Sequence, residues 1–255
     1  MLWYKAWLDT RWRFLIGLAL LFGSAVTIVL AYPRVMELMP MLPNLNSAGG
    51  ELGRRIREAA ELTRTYRGYV WSQFFGETPT QLGTLFAVLL GTGGLLSQSA
   101  GGALFTLSLP VSRQRLLGVR AAAGLAELFV LTLISSLAIP MASPLVGQTF
   151  SVSSAVVHAA CWFAGGAVFF SVALLFSTVF ADVWRPLLLA CAVGLVLALA
   201  DFAFRDLGMF SLFGVMTAET YFRTGALPWA GLLGSAAISA AVLYTASVNF
   251  ARRDF

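Results

Sequence analysis

The sequence predicts an all-α protein that crosses a membrane six times, and three observations point there. Five stretches carry no Asp, Glu, Lys or Arg: Phe14 to Tyr32, Thr78 to Ser112, Leu128 to Ala181, Pro186 to Ala200 and Thr224 to Ala251. A helix needs about 20 apolar residues to cross a hydrocarbon core about 30 Å thick, so the third stretch has room for the end of one span and all of the next. The chain is 58% hydrophobic and 11% charged, with a mean hydropathy of +0.81, whereas soluble domains run near about 25% charged. Nothing between the stretches has the length of a soluble catalytic domain, so residues 1–255 read as a single transmembrane domain.

Taken in order, residues 1–13 mix Trp3, Trp7 and Trp12 with Lys5, Arg11 and Arg13. Indole rings beside cations suit the headgroup region, which predicts a short interfacial helix ahead of the first span. Asp9, the length of Phe14 to Tyr32 and the lack of a small-x-small site after it argue against a cleaved signal peptide. Spans are expected at 14–32, 80–97, 116–142, 155–180, 186–203 and 229–249. Lys5, Arg11, Arg13, Arg113, Arg115, Arg120, Arg185, Arg252 and Arg253 then share a side with both termini. The opposite short loops hold only Arg205 and Arg223, so the positive-inside rule puts both termini in the cytoplasm of a bacterial inner membrane.

The outer segment 33–77 is richer than a linker. After Pro33 to Pro43 and a turn at residues 46–50, apolar residues recur at Leu52, Ile56, Ala59, Leu62, Tyr66, Val70 and Phe74. Spacings of three and four make one helical stripe, able to lie on the outer leaflet or to pack over the spans.

The uncharged run 78–112 is too long for one crossing. Gly101 and Gly102 weaken a helix, and Pro110 removes a donor and clashes with the preceding turn. Ser112 is placed to cap a new helix, with Arg113 and Arg115 holding its start at the surface. A short amphipathic helix is expected over 99–109. Its Leu104, Phe105, Leu107 and Leu109 are free to enter lipid or a partner's groove.

The run Thr106-Leu-Ser-Leu-Pro-Val-Ser-Arg113 resembles the coupling-helix signature of ABC transporter permeases of the type-two exporter class. The Trp/Arg-rich start, the Tyr69-Val-Trp-Ser-Gln73 stretch and the closing Phe250-Ala-Arg-Arg-Asp-Phe255 resemble the same family. The resemblance implies a six-span permease subunit working as a dimer, a homodimer being favoured, with two separate ABC ATP-binding subunits that carry the ATP and Mg. It implies a cytoplasmic coupling role for segment 99–113, through Gly101, Gly102, Phe105, Leu107, Leu109, Pro110, Ser112 and Arg113, and for Trp184 and Arg185 of the inner turn. It also implies that 206–228, which has no room for two crossings, is an outer re-entrant hairpin. Backbone at that depth must be buried in protein or line a cavity. Its Phe210, Phe213 and Met216 become transport-path candidates.

No Gly-x-x-x-x-Gly-Lys-Ser/Thr loop occurs, and Lys5 is the sole lysine, so the chain reads as a transport subunit without its own ATPase site, cofactor or catalytic residue. Glu127, about three turns into the third span, is the sharpest outlier. A carboxylate at that depth costs about 2.5–3.5 kcal/mol and must be protonated, paired or wetted. It reads equally as a structural polar clamp or as a transport-path residue. His158, the only histidine, makes a poor metal site, and no metal is expected. Cys161 and Cys191 fall inside spans, as buried small residues rather than a disulfide. Asp201 and Arg205 are spaced as an interfacial ion pair. Gly91, Gly93, Gly94, Gly165 and Gly166 allow close helix contact, within the chain or at a dimer seam.

Three other readings compete. An intramembrane protease lacks Gly-x-Ser-Gly and His-Glu-x-x-His motifs. An ion-coupled secondary transporter could use Glu127, but the two halves show no convincing repeat. A membrane assembly factor could use the permease fold without moving a substrate. Membrane lipid is an expected partner; nucleic acid is not, since no basic run accompanies a nucleic-acid motif.

Overall fold

The computed structural model describes residues 2–38, 61–93, 112–180, 182–203 and 211–252, apart from the side chains of Leu38 and Arg113. Every regular element among the described residues is helical.

Helix α1 runs Leu2–Leu38. The interfacial helix expected ahead of the first span is therefore continuous with it. No proline interrupts the sequence before Pro33, and one buried stripe runs through the whole length: Ala6, Thr10, Phe14, Leu21, Ala25 and Val29. Trp3, Tyr4 and Trp12 stay exposed on the outside of the same helix.

The chain next follows a helical path through α2 (Tyr66–Val70), two π-helical turns (Trp71–Phe75 and Pro79–Gly83) and α3 (Thr84–Gly91). The first wide turn closes with the Gly76 N–H donating to Trp71 O, five residues back, at 2.6 Å. Pro79 has no N–H to give, and its ring would meet the Phe75 carbonyl in a regular helix. The wider turns on either side absorb that conflict. Of the described members of the predicted outer stripe, Tyr66, Val70 and Phe74 are buried and Leu62 is half-buried. They face the bundle: the Tyr66 and Tyr69 rings meet Tyr32 of α1 at 4.9 and 5.2 Å. The Tyr69 hydroxyl donates to Ile28 O at 3.0 Å. Leu52, Ile56 and Ala59 lie outside the described residues.

After α3 the helix ends. Thr92 is extended (ψ 145°) and Gly93 has φ +84°, a left-handed conformation natural to glycine. Helix α4 (Arg113–Ala142) starts afresh: Ser112 is extended (ψ 141°), and its hydroxyl accepts from the Arg115 N–H at 3.4 Å, the predicted cap. The uncharged run 78–112 is thus not one helix.

A 3₁₀ turn (Ser143–Val146) leads to α5 (Val152–Val179), α6 (Trp184–Ala203), the short α7 (Leu212–Met216) and α8 (Glu219–Thr224), and finally α9 (Trp229–Ala251). Five helices, α1, α4, α5, α6 and α9, are long and apolar enough to cross a membrane. They coincide with five of the six expected spans. The described part of the remaining one, 80–97, is the end of the second π turn and α3.

Helix α5 is the axis, touching α3, α4, α6, α7 and α9. Of its most apolar window 67% is buried, against 17% for α6. With α9 and α1, α6 is among the least covered of the long helices. Glycines let the helices approach: a Cβ on Gly91 would sit 2.5 Å from Phe170 O, and one on Gly124 2.5 Å from the Phe170 ring. Gly165 abuts Met216, and Gly166 faces Leu128 and Ala87, so these glycines serve contacts within the chain.

The contacts also fix direction. Gly83 meets Trp162 and Gly91 meets Phe170, so α3 and α5 are parallel. Gly124 meets Phe170 and Phe129 meets Phe163, so α4 is antiparallel to them. Gly17 against Phe86 sets α1 with α4, Gly194 against Phe169 adds α6, and Asn249 donating to Thr178 Oγ1 at 3.0 Å aligns α9 with α5.

Candidate functional site at the basic end of the bundle

One end of the bundle therefore gathers the start of α1, the end of α3, the start of α4, the end of α5, the start of α6 and the end of α9. Lys5, Arg11, Arg13, Arg115, Arg120, Arg185 and Arg252 all belong to this end.

Two of these arginines turn inward onto the end of α3. A helix leaves its last carbonyls without intrahelical donors, and they carry partial negative charge. Arg13 Nη1 donates to Leu89 O at 2.8 Å and Thr92 O at 2.6 Å. Arg120, 5% exposed, donates through Nη2 to Leu90 O (3.4 Å) and Gly93 O (3.3 Å), and through Nη1 to Ala6 O of α1 (3.3 Å). From the third side, Ser177 of α5 accepts the Gly93 N–H at 3.2 Å. The last described residues before 94–111 are thus held by α1, α4 and α5 together.

The same seam contains Glu127. It is 6% exposed, and its Oε1 accepts from the Thr10 hydroxyl of α1 at 2.5 Å, while Oε2 has no hydrogen-bond partner. Seven residues separate Glu127 from Arg120, two turns along one face of α4. The Thr10–Glu127 bond joins α1 to α4 next to a buried guanidinium, a contact that the polar-clamp role would make. A hydroxyl–carboxylate bond of this kind contributes about 1.5–3 kcal/mol.

Arg120 belongs to α4 yet reaches the residues that end α3, so the end of α3 and the start of α4 lie at the same end of the bundle. The 182–185 turn stands beside Gly93, with Val183 Cγ2 3.6 Å from where a Gly93 Cβ would lie. Trp184 is 71% exposed there, and Arg185 pairs with Asp182 at 3.2 Å. Of the proposed coupling residues, Ser112 is the α4 cap and Arg113 its first residue. Gly101, Gly102, Phe105, Leu107, Leu109 and Pro110 lie outside the described residues, as do Phe210 and Arg205.

Phe213 and Met216 are buried on α7, which packs against Gly165 and Phe169 of α5. Those residues are 13 and 17 positions past Val152, about 20–25 Å along the helix at 1.5 Å per residue. After Thr217 and Ala218 (φ 52°), α8 returns toward the start of α5. There Phe222 stacks on Trp71 (4.4 Å, 9°) and carries the Arg67 guanidinium at 5.5 Å, while Trp71 Nε1 donates to Thr217 O at 3.2 Å. Among the described residues no group of three or more His, Cys, Asp or Glu side chains could hold a metal ion.

Thr10, Arg13, Arg120 and Ser177 were not singled out by sequence reasoning. Arg13 and Arg120 read there as surface charges of the positive side. The available signal was that each lies within a turn or two of an apolar run, where a guanidinium needs acceptors. No family model, no curated protein and no solved structure matches this chain.

Proposed function

We propose that this chain is the membrane-spanning permease subunit of an ATP-driven exporter of the type-two ABC class. In this reading it sits in a bacterial cytoplasmic membrane, both termini cytoplasmic, with α1, the expected 80–97 span, α4, α5, α6 and α9 as its spans and 206–228 as an outer re-entrant hairpin. It pairs with a second permease subunit and two separate ATP-binding subunits, which hold the ATP and Mg.

One observation carries the reading. The helix stops on both sides of 94–111, and the residues that flank that segment stand at the basic end, those before it held by Arg13, Arg120 and Ser177. An excursion so anchored is suited to passing a push from outside the membrane to α1, α4 and α5 at once. The packing of α7 at mid-length on α5 supports the hairpin, because backbone at that depth is covered by protein.

The test is isolation of the chain from its native membrane in mild detergent. An ATP-binding subunit is expected to co-purify, and the double change Leu107→Asp, Leu109→Asp to release it with the helical circular dichroism unchanged. A native complex with no ATP-binding component, or ATP-dependent transport by the purified chain alone, sinks the reading.

A further inference from the structure

Helix α1 carries its own measure of the membrane. Between Arg13 and Arg34 it has no Asp, Glu, Lys or Arg. The rise from one arginine to the other is about 31 Å at about 1.5 Å per residue, against about 30 Å for a hydrocarbon core. On its outer side this stretch shows Leu15, Ile16, Leu20, Phe22 and Leu30, all exposed. The residues ahead of Arg13 therefore stand in the headgroup layer, about 5–7 Å deep, and beyond it.

One face of that projecting part has a composition of its own. Tyr4, Trp7 and Arg11 follow at intervals of three and four, so they lie one above another, with Trp12 beside Arg11. All four are exposed. The Trp7 ring leans toward the span, edge-on to Phe14 at 5.4 Å, and the Arg11 guanidinium lies over the Trp12 ring at 5.6 Å. Asp9, the sole acidic residue ahead of Arg13, stands two positions from Arg11 and so about 160° round the helix. Arg13 turns inward onto the end of α3, which leaves Arg11 as the exposed guanidinium of α1 at this end. The surrounding charge has the same sign: among the described residues, seven cations of this end meet the carboxylates of Asp9, Glu127 and Asp182.

We propose that this face of α1 is the seat of an anionic phospholipid, whose phosphate takes the in-plane N–H groups of Arg11 while Trp7 and Trp12 flank its glycerol backbone. A phosphate matches the planar fork of a guanidinium, and a guanidinium stacked on a ring still presents the donors of its edge. Indoles favour the boundary between headgroup and hydrocarbon, and basic side chains draw anionic lipid. Leu15, one turn below Arg11, begins the apolar surface that the acyl chains follow. The proposal requires only that α1 cross a membrane, with or without ATP-binding subunits.

The test is a competition between lipids on the full-length chain. Purified from its native membrane, it is equilibrated with detergent micelles holding equal amounts of phosphatidylglycerol and phosphatidylcholine, and retained lipid is counted by native mass spectrometry. Phosphatidylglycerol is expected to be retained in preference, and Arg11→Gln to lower that preference about fivefold, the loss of one cation at the surface. Arg252→Gln removes an equal charge from the exposed end of α9 and is expected to change it less than about twofold. Millimolar glycerol phosphate, which has the headgroup chemistry without acyl chains, is expected not to displace the lipid. No preference in the parent chain, or equal losses in the two variants, overturns the proposal. So does displacement by glycerol phosphate, which identifies a free phosphate, or a protein held in place of lipid and released by Arg11→Gln.

Discussion

Removing the Arg13 guanidinium tests the hold on the end of α3, a second clamp beside that of Glu127, most directly. Arg13→Met keeps most of the aliphatic stem and deletes the donors to Leu89 O and Thr92 O, at 2.8 and 2.6 Å. Each hydrogen bond to a charged group contributes about 1.5–3 kcal/mol. The full sum is not lost. Thr92 Oγ1 already donates to Leu89 O at 3.1 Å, Arg120 holds the neighbouring carbonyls, and Arg13 is only half-buried, so water replaces part of the contact. A net local cost of about 2–3 kcal/mol remains, and at tenfold per 1.4 kcal/mol it raises local opening roughly 30- to 140-fold. Amide hydrogen exchange of the reconstituted chain reads this at Thr92 and Gly93, whose N–H groups bond Val88 O and Ser177 Oγ. Arg11→Met is the control, removing an equal charge from an exposed neighbour over Trp12. Exchange at residues 89–93 that matches between the two variants and the parent chain would refute the clamp.

Three further outcomes are expected. Thr10→Val leaves Glu127 without its hydroxyl donor; it is expected to lower thermal stability by about 1.5–3 kcal/mol, and a double-mutant cycle with Glu127→Leu to recover most of that as coupling. Gly165→Ala drives a methyl into Met216; it is expected to cost about 1–3 kcal/mol by overpacking and to be relieved by Met216→Ala, a relief that disappears if α7 does not lie on α5. Burial holds the Tyr66 and Tyr69 hydroxyls above the ordinary tyrosine pKa, so the fold favours their neutral forms. Their contribution is complete below a pH of about 10 and is lost as pH rises through the elevated values, so melting curves are expected to soften only on the alkaline side, less so in a Tyr66→Phe, Tyr69→Phe variant.

What the sequence made readable, and what it hid, follows one division. A crossing helix announces itself through a run of apolar residues that water will not hold, and Leu128, Leu131, Trp162 and Phe170 belong to such runs. Ser112 was readable because capping is local: one hydroxyl and the N–H three residues on. The continuity of α1 was not, because Trp3, Trp7 and Trp12 look alike on a helix lying at the interface and on one standing through it. The stripe through Ala6 and Thr10 becomes meaningful only once α4 supplies Arg120 and Glu127 to meet it. Partners more than a hundred residues apart leave no mark in spacing. The π turns were hidden likewise. Pro79 announces a disturbance, but whether a helix breaks, kinks or widens depends on what packs around it, here Trp162 against Gly83.

The placing of Gly93 and Ser112 at one end of the bundle has a thermodynamic side. Drawing two points of a chain together costs entropy that grows with the logarithm of the length between them, and here the packing of α4 on α1, α3 and α5 has already met that cost. The helix ends that flank residues 94–111 are thus fixed at one end of the bundle by contacts made elsewhere in the fold.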